Sequence, residues 1–104
     1  MTAKAKGLEM TTGEIEREES ASKGRYWIAF EGETAEMTYS RLGEKQLIID
    51  HTGVPDALRG KGFGERLVER AVHDARAEGR KIVPLCPFAK AQIHRHPEWQ
   101  DVLA

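Results

Sequence analysis

At 104 residues the chain has room for one domain with a modest core. Its 39% hydrophobic and 32% charged residues give the balance of a water-soluble globular fold, and a formal net charge of −1 excludes the basic excess that drives general nucleic-acid binding. No apolar run approaches a membrane span, one cysteine excludes an internal disulfide framework, and with no apolar leader at the N-terminus the expected location is the cytoplasm.

Residues 1–14 are polar and read as a flexible tail, with a single domain expected over 15–104. Ile15-Glu16-Arg17 reads as a short edge strand. From Arg25 the pattern has period two. Tyr26, Ile28 and Phe30 alternate with Trp27 and Ala29, Gly32 turns the chain, and Ala35, Met37 and Tyr39 alternate with Glu36 and Thr38. Gly43 turns it again. Gln46 to His51 is apolar on both faces at its middle, which marks an inner strand. These segments predict an antiparallel meander.

The period then changes. Phe63, Leu67, Val68, Ala71, Val72 and Ala75 recur at helical spacing and Gly79 is a natural stop, so a helix of about 18 residues is expected. Lys81 to Leu85 reads as a short strand parallel to the one ending at Val54. Pro84 lacks an N–H, so the strand should be unpaired there or diverge from its neighbour. A last short helix runs from Phe88 to about His96 before Pro97, and Trp99, Val102 and Leu103 should pack back as a C-terminal clasp. The fold class is therefore a mixed α+β fold: a meander, a strand–helix–parallel strand unit and a short C-terminal helix.

Between the inner strand and the long helix lies Leu58-Arg59-Gly60-Lys61-Gly62-Phe63-Gly64. Glycines at every second position leave backbone N–H groups uncovered and free to take positive φ. The helix behind them contributes unpaired N–H groups and the positive end of its dipole, and Arg59 and Lys61 add formal charge. The stretch describes an anion site, most naturally for a phosphate or pyrophosphate. It fits neither Gly-x-x-x-x-Gly-Lys-Ser/Thr nor Gly-x-Gly-x-x-Gly.

Arg59, Gly62 and Gly64 do fit Arg-x-x-Gly-x-Gly, which after a strand and before a helix resembles the acetyl-CoA pyrophosphate loop of the GNAT N-acetyltransferase superfamily. His51-Thr52-Gly53-Val54, Pro84-Leu85-Cys86-Pro87-Phe88 and His96-Pro97-Glu98-Trp99 resemble a subgroup of minimal, single-domain members with one cysteine after the last strand. The likeness runs from about Ile15 to the end. It implies an acetyl-CoA-dependent N-acetyltransferase with acetyl-CoA as cosubstrate and no metal. Gly60 to Gly64, Phe63 included, would hold the pyrophosphate, while the free edge of Thr52-Gly53-Val54 would pair with the pantetheine amides. Phe88 and Lys90 would flank the thiol end or the adenine side.

The chain departs from larger members in ways that bear on the acceptor. Gly32 closes the first hairpin directly and little follows Trp99, so the groove should be shallow, open or completed by another molecule. An exposed primary amine of a protein or peptide is the expected acceptor, and the protein the expected monomer or weak homodimer, with neither nucleic acid nor membrane as partner. Many relatives carry a tyrosine on the last helix to protonate the departing thiolate. Here Tyr26 and Tyr39 both lie on early strands.

His51, at the end of the inner strand, is the candidate base; Asp50 beside it points to the other face of a regular strand and cannot orient it. Cys86 is the second candidate catalytic residue, either as an acyl-accepting thiolate, with Lys90 nearby, or as a protonated donor to the leaving sulfur. His94 and His96 stand near Cys86 in sequence but lack the further ligands of a metal site, and His73 belongs to the solvated helix face. The alternative function is a CoA-binding module whose cysteine reacts with thiols; a scaffold that kept only the fold is the third.

Overall fold

The computed structural model describes residues 13–104, so the expected tail falls outside the described residues except for Gly13 and Glu14. Five strands, β1 (Ile15–Glu19), β2 (Lys23–Phe30), β3 (Glu33–Leu42), β4 (Gln46–Gly53) and β5 (Lys81–Pro84), form one sheet in that order. The first four are antiparallel neighbours and β5 joins β4 in parallel. Helix α1 (Phe63–Glu78) connects β4 to β5, and α2 (Pro87–Arg95) follows. Short 3-10 turns lie at Asp56–Leu58 and Pro97–Val102.

The period-two residues form the floor of the core. Tyr26 and Ile28 of β2 and Ala35, Met37 and Tyr39 of β3 are buried, while Arg25, Trp27, Thr38 and Ser40 on the other face are not. Glu31 and Gly32 both take left-handed φ, 51° and 83°, which makes the tight two-residue turn a hairpin needs. Leu67, Val68, Ala71, Val72 and Ala75 of α1 close over that floor, joined by Ala89 and Ile93 of α2. Burying each leucine- or valine-sized side chain contributes roughly 1.5–3 kcal/mol. Gly79, at φ 70°, stops α1 by turning its N–H back to the carbonyls of Ala75 and Arg76. The C-terminal clasp is present: Trp99 and Val102 are buried, Leu103 bridges Ile82, and the Ala104 N–H donates to the Ile82 carbonyl at 3.0 Å.

Two irregularities in the sheet set up the site. The first is a bulge in β4. Tyr39 pairs with Ile49 but Thr38 pairs with His51, so Asp50 is an extra residue. Strict alternation from Ile49 would turn His51 inward and Thr52 outward. The bulge exchanges them, placing Thr52 opposite fully buried Met37 on the core face and His51 opposite Thr38 on the outer face. The second irregularity is the divergence expected at Pro84. The β4–β5 ladder ends at the pair Ile49–Pro84, and the N–H groups of Leu85 and Cys86 both turn to the Ile49 carbonyl, at 3.2 and 3.0 Å. From Asp50 to Gly53, β4 has no described strand on its β5 side.

Candidate active site

The chain leaving β4 is anchored by Leu58, 2% exposed, the last residue of the 3-10 turn. Arg59, just beyond it, pairs with Asp56 at 3.1 Å. Gly60 and Gly62 both take left-handed φ, 81° and 77°, and a Cβ on either would meet nothing within 4 Å. That open space is the cradle: a side chain there would project into it. Gly62 is also the N-cap of α1 and supplies no side-chain cap, which leaves the first N–H groups of a 16-residue helix for another acceptor. Gly64 serves differently. Its φ is ordinary, but a Cβ would stand 2.7 Å from the Phe88 ring, so glycine lets α2 close onto the start of α1.

These elements bound a cleft of about 540 Å³. Thr52 of β4 and Val54 just beyond the strand form one wall; Arg59, Gly60, Gly62, Phe63 and Gly64 form the loop wall; Phe88 comes from α2. Its glycine cradle, uncapped helix and free strand edge fit a long ligand with one doubly charged phosphate segment and an amide-bearing arm. Leu58, Glu65 and Gln92 also line it and were not singled out by sequence reasoning. Leu58 and Gln92 show no motif; only their burial, 2% and 9% exposed, brings them there. Other expected site residues stand outside the wall. Gly53 is half-buried between Thr52 and Val54, Lys90 is exposed on α2, and Lys61 is exposed with its Nζ 5.9 Å from the Phe30 ring centroid.

The two candidate catalytic residues lie on opposite faces of the sheet. Cys86 is 4% exposed and donates through Sγ to Thr52 Oγ1 at 3.3 Å, so Thr52 stands between the thiol and the cleft. His51 is exposed on the outer face with Nε2 3.3 Å from where a Gly53 Cβ would be. Asp50 does not orient it, because its carboxylate accepts from Ser40 Oγ at 2.9 Å. Of the other histidines, His73 and His94 are exposed, while His96 stacks on Trp99 at 3.8 Å and meets Glu65 and Glu98 at 3.1 and 3.2 Å.

Both tyrosines are committed elsewhere. Tyr26 donates to Asp74 at 2.8 Å and Tyr39 to Glu19 at 2.8 Å, around an Arg17 guanidinium bonded to Asp74, Glu78 and Tyr39. Burial, reinforced by the Asp74 bond, pushes the Tyr26 phenol well up from its ordinary value. Burial also raises Tyr39, against the opposing bond from Arg17. Neither phenol is placed or poised to give a proton in the cleft.

A family model described as GCN5-related N-acetyl-transferase matches residues 25–102, three quarters of the chain including every wall of this cleft. The chain belongs to that family. Within it, the solution structure of a GCN5-like candidate N-acetyltransferase from Staphylococcus aureus superposes with a TM-score of 0.68 at 33% identity, covering 90% of this chain and 91% of that one. Protein NATD1 of Xenopus tropicalis is 30% identical over 63 residues, 61% of this chain and 58% of that protein, so the match spans little more than half of that relative. Protein NATD1 of Mus musculus is 25% identical over 87 residues, 82% of this chain and 79% of that protein. The sheet order and the mixed α+β architecture are those expected of the GNAT fold. No described helix is long and apolar enough to cross a membrane, and no described cluster of three His, Cys, Asp or Glu residues could hold a metal ion.

Proposed function

We propose that this protein transfers an acetyl group from acetyl-CoA to an exposed primary amine of a protein or peptide, acting in the cytoplasm as a monomer or weak homodimer. The observation that carries the reading is the continuity of the cleft. It runs from the glycine cradle at Gly60–Gly64 to Val54 and to Thr52, which lies on the stretch of β4 beyond its last pair with β5. Acetyl-CoA supplies an activated acyl thioester. The loop N–H groups and the α1 dipole hold its pyrophosphate, and the β4 edge pairs with its amide-bearing arm.

The bulge at Asp50 divides the chemistry between the faces. His51, on the outer face beside the divergence, accepts a proton from the incoming amine. Thr52, on the core face, gives its hydroxyl proton to the departing sulfur and takes one from Cys86, whose thiol points at Thr52 Oγ1; after CoA leaves, water entering the cleft returns a proton to the Cys86 thiolate through Thr52. Of the two roles open to Cys86, proton donation is the better supported, because a thiol 4% exposed behind Thr52 has no described line of approach for an acyl group. The same burial weighs against a binding module with a thiol-reactive cysteine. The outer face, uncovered by either helix, admits an extended chain bearing the amine but cannot enclose a small metabolite.

Calorimetry with acetyl-CoA and CoA, followed by mass spectrometry of lysine-bearing peptides and N-terminal amines, tests the reading. Binding followed by a mass gain of one acetyl group on a peptide is expected. Absence of binding to either ligand, or efficient turnover of a free polyamine in preference to peptides, refutes it.

A further inference from the structure

Gln92 is the one buried polar residue among the described core positions, 9% exposed, and it lines the cleft from α2. Its carboxamide has no hydrogen-bond partner among the described residues, yet it is not sealed off: the single fully enclosed unpaired side-chain atom described is Nε of Arg41. What exposure Gln92 keeps therefore reaches its amide from the cleft. A nearly buried amide is costly unless something pairs with it, and alanine, leucine or methionine would fill the same helix position without that cost. Phe88 precedes it by one helical turn, and Glu65 lies across the cleft on the first turn of α1.

We infer that Gln92 is a recognition residue for the molecule that fills the cleft, pairing through Oε1 and Nε2 with a planar group that offers an N–H donor beside an acceptor. A glutamine amide matches such a group bidentately and rejects groups that offer only one of the two. The inference rests on the acetyl-CoA reading: the adenine edge of coenzyme A offers this pattern, whereas each trans secondary amide of the pantetheine arm holds its N–H and C=O on opposite edges and can meet only one atom of the Gln92 amide at a time. Phe88, 38% exposed at the cleft, provides an apolar face against which a planar ring can lie.

The test compares wild type, Gln92→Met and Gln92→Glu by calorimetry with CoA, adenosine bisphosphate and phosphopantetheine, together with the melting temperature of each free protein. Methionine keeps the length and removes both hydrogen-bonding atoms. Gln92→Met should melt at or above the wild-type temperature, because an unpaired buried amide has been removed, while CoA affinity falls about tenfold. Affinity for adenosine bisphosphate should fall in parallel with that for CoA, and a fall confined to phosphopantetheine overturns the bidentate pairing. Gln92→Glu, which keeps an acceptor but loses both N–H donors, should weaken the same adenosine half. CoA affinity within twofold of wild type in a folded Gln92→Met protein overturns the inference. So does a lowered melting temperature with unchanged affinity, which marks a packing residue. A wild type that binds no CoA refutes the broader reading instead, so the two failures are distinct.

Discussion

Phe88 lies over Gly64 so closely that a methyl group at position 64 would stand 2.7 Å from the ring. The contact joins the first turns of α1 and α2 and sets the width of the cleft where the helix N–H groups face it. In Gly64→Ala two effects oppose. Alanine gains up to about 1 kcal/mol of helix propensity over glycine, while the ring must swing aside. Phe88 is 38% exposed and has room to do so. The expected outcome is a melting temperature close to wild type and a CoA affinity lowered about tenfold by the displaced ring. Calorimetry beside a thermal melt checks it; an unchanged affinity would detach the Phe88 face from ligand binding.

The left-handed backbone at Gly62 supports a second experiment with a built-in control. Gly43 also has positive φ, 65° against 77°, and neither position crowds a Cβ. A valine at either site carries the same left-handed strain, about 1–2 kcal/mol. Only Gly62 borders the cleft. Gly62→Val and Gly43→Val should therefore lose similar stability in denaturant titrations, while Gly62→Val alone loses acetyl-CoA binding. Lys61→Ala should be mild, because Lys61 stands outside the cleft wall and backbone does most of the holding. Equal binding by the two valine variants would remove the pyrophosphate from this loop.

The period of the hydrophobic residues made most of this architecture readable in advance. Alternation at Tyr26–Phe30 and Ala35–Tyr39 and helical spacing at Phe63–Ala75 each state a local geometry that burial then enforces. The glycine loop was legible because positive φ and close approach demand glycine. The bulge at Asp50 was not, since nothing in Ile48-Ile49-Asp50-His51-Thr52 says that one residue will be left unpaired. That single residue decides which of His51 and Thr52 faces Cys86. Gln92 carries no motif that marks it in the sequence, and only the packing of α2 onto α1 turns it inward. Lys90, close in sequence to Cys86, points instead to solvent. The Arg17–Asp74 bond, between residues 57 positions apart, has no local signature at all.

That bond belongs to a network that predicts the pH dependence of stability. Burial alone would raise Glu19, but bonds from Tyr39 and Arg80 and the charges of Arg17 and Arg80 hold its carboxyl below its ordinary value of 4.5. A depressed carboxyl stabilises the fold above its unfolded pKa, and that stability is lost as pH falls through the folded value. Tyr26, raised by burial and by Asp74, has the opposite sense: its contribution is complete below its ordinary 10.0 and is lost as pH rises beyond it. The melting temperature should therefore hold a plateau between about pH 5 and pH 10 and fall on both sides. Glu19→Gln should flatten the acid limb and leave the alkaline limb in place. Arg17→Ala, which leaves three carboxylates without their shared cation, should cost about 2 kcal/mol across the plateau. An acid limb unchanged in Glu19→Gln would assign acid unfolding to other carboxylates.

The hydrogen bond from Cys86 to Thr52 separates the two roles open to the cysteine. A covalent acyl-cysteine route needs the sulfur itself, so serine in its place should nearly abolish transfer, and Thr52→Val should matter little. A relay needs only a proton donor behind a hydroxyl. Cys86→Ser then keeps most of the rate, while Cys86→Ala and Thr52→Val each lower kcat by about 10²-fold, the usual worth of a positioned general acid, with acetyl-CoA affinity nearly unchanged. Because the two residues act in series, the double variant Thr52→Val with Cys86→Ala should be no slower than either single change, whereas independent contributions would multiply. Thr52 is brought to the thiol only by the bulge at Asp50, so the double variant also tests whether that irregularity has a catalytic consequence. An acetylated Cys86 peptide recovered after incubation with acetyl-CoA alone, together with a collapsed rate in Cys86→Ser, would overturn the relay and establish the covalent route.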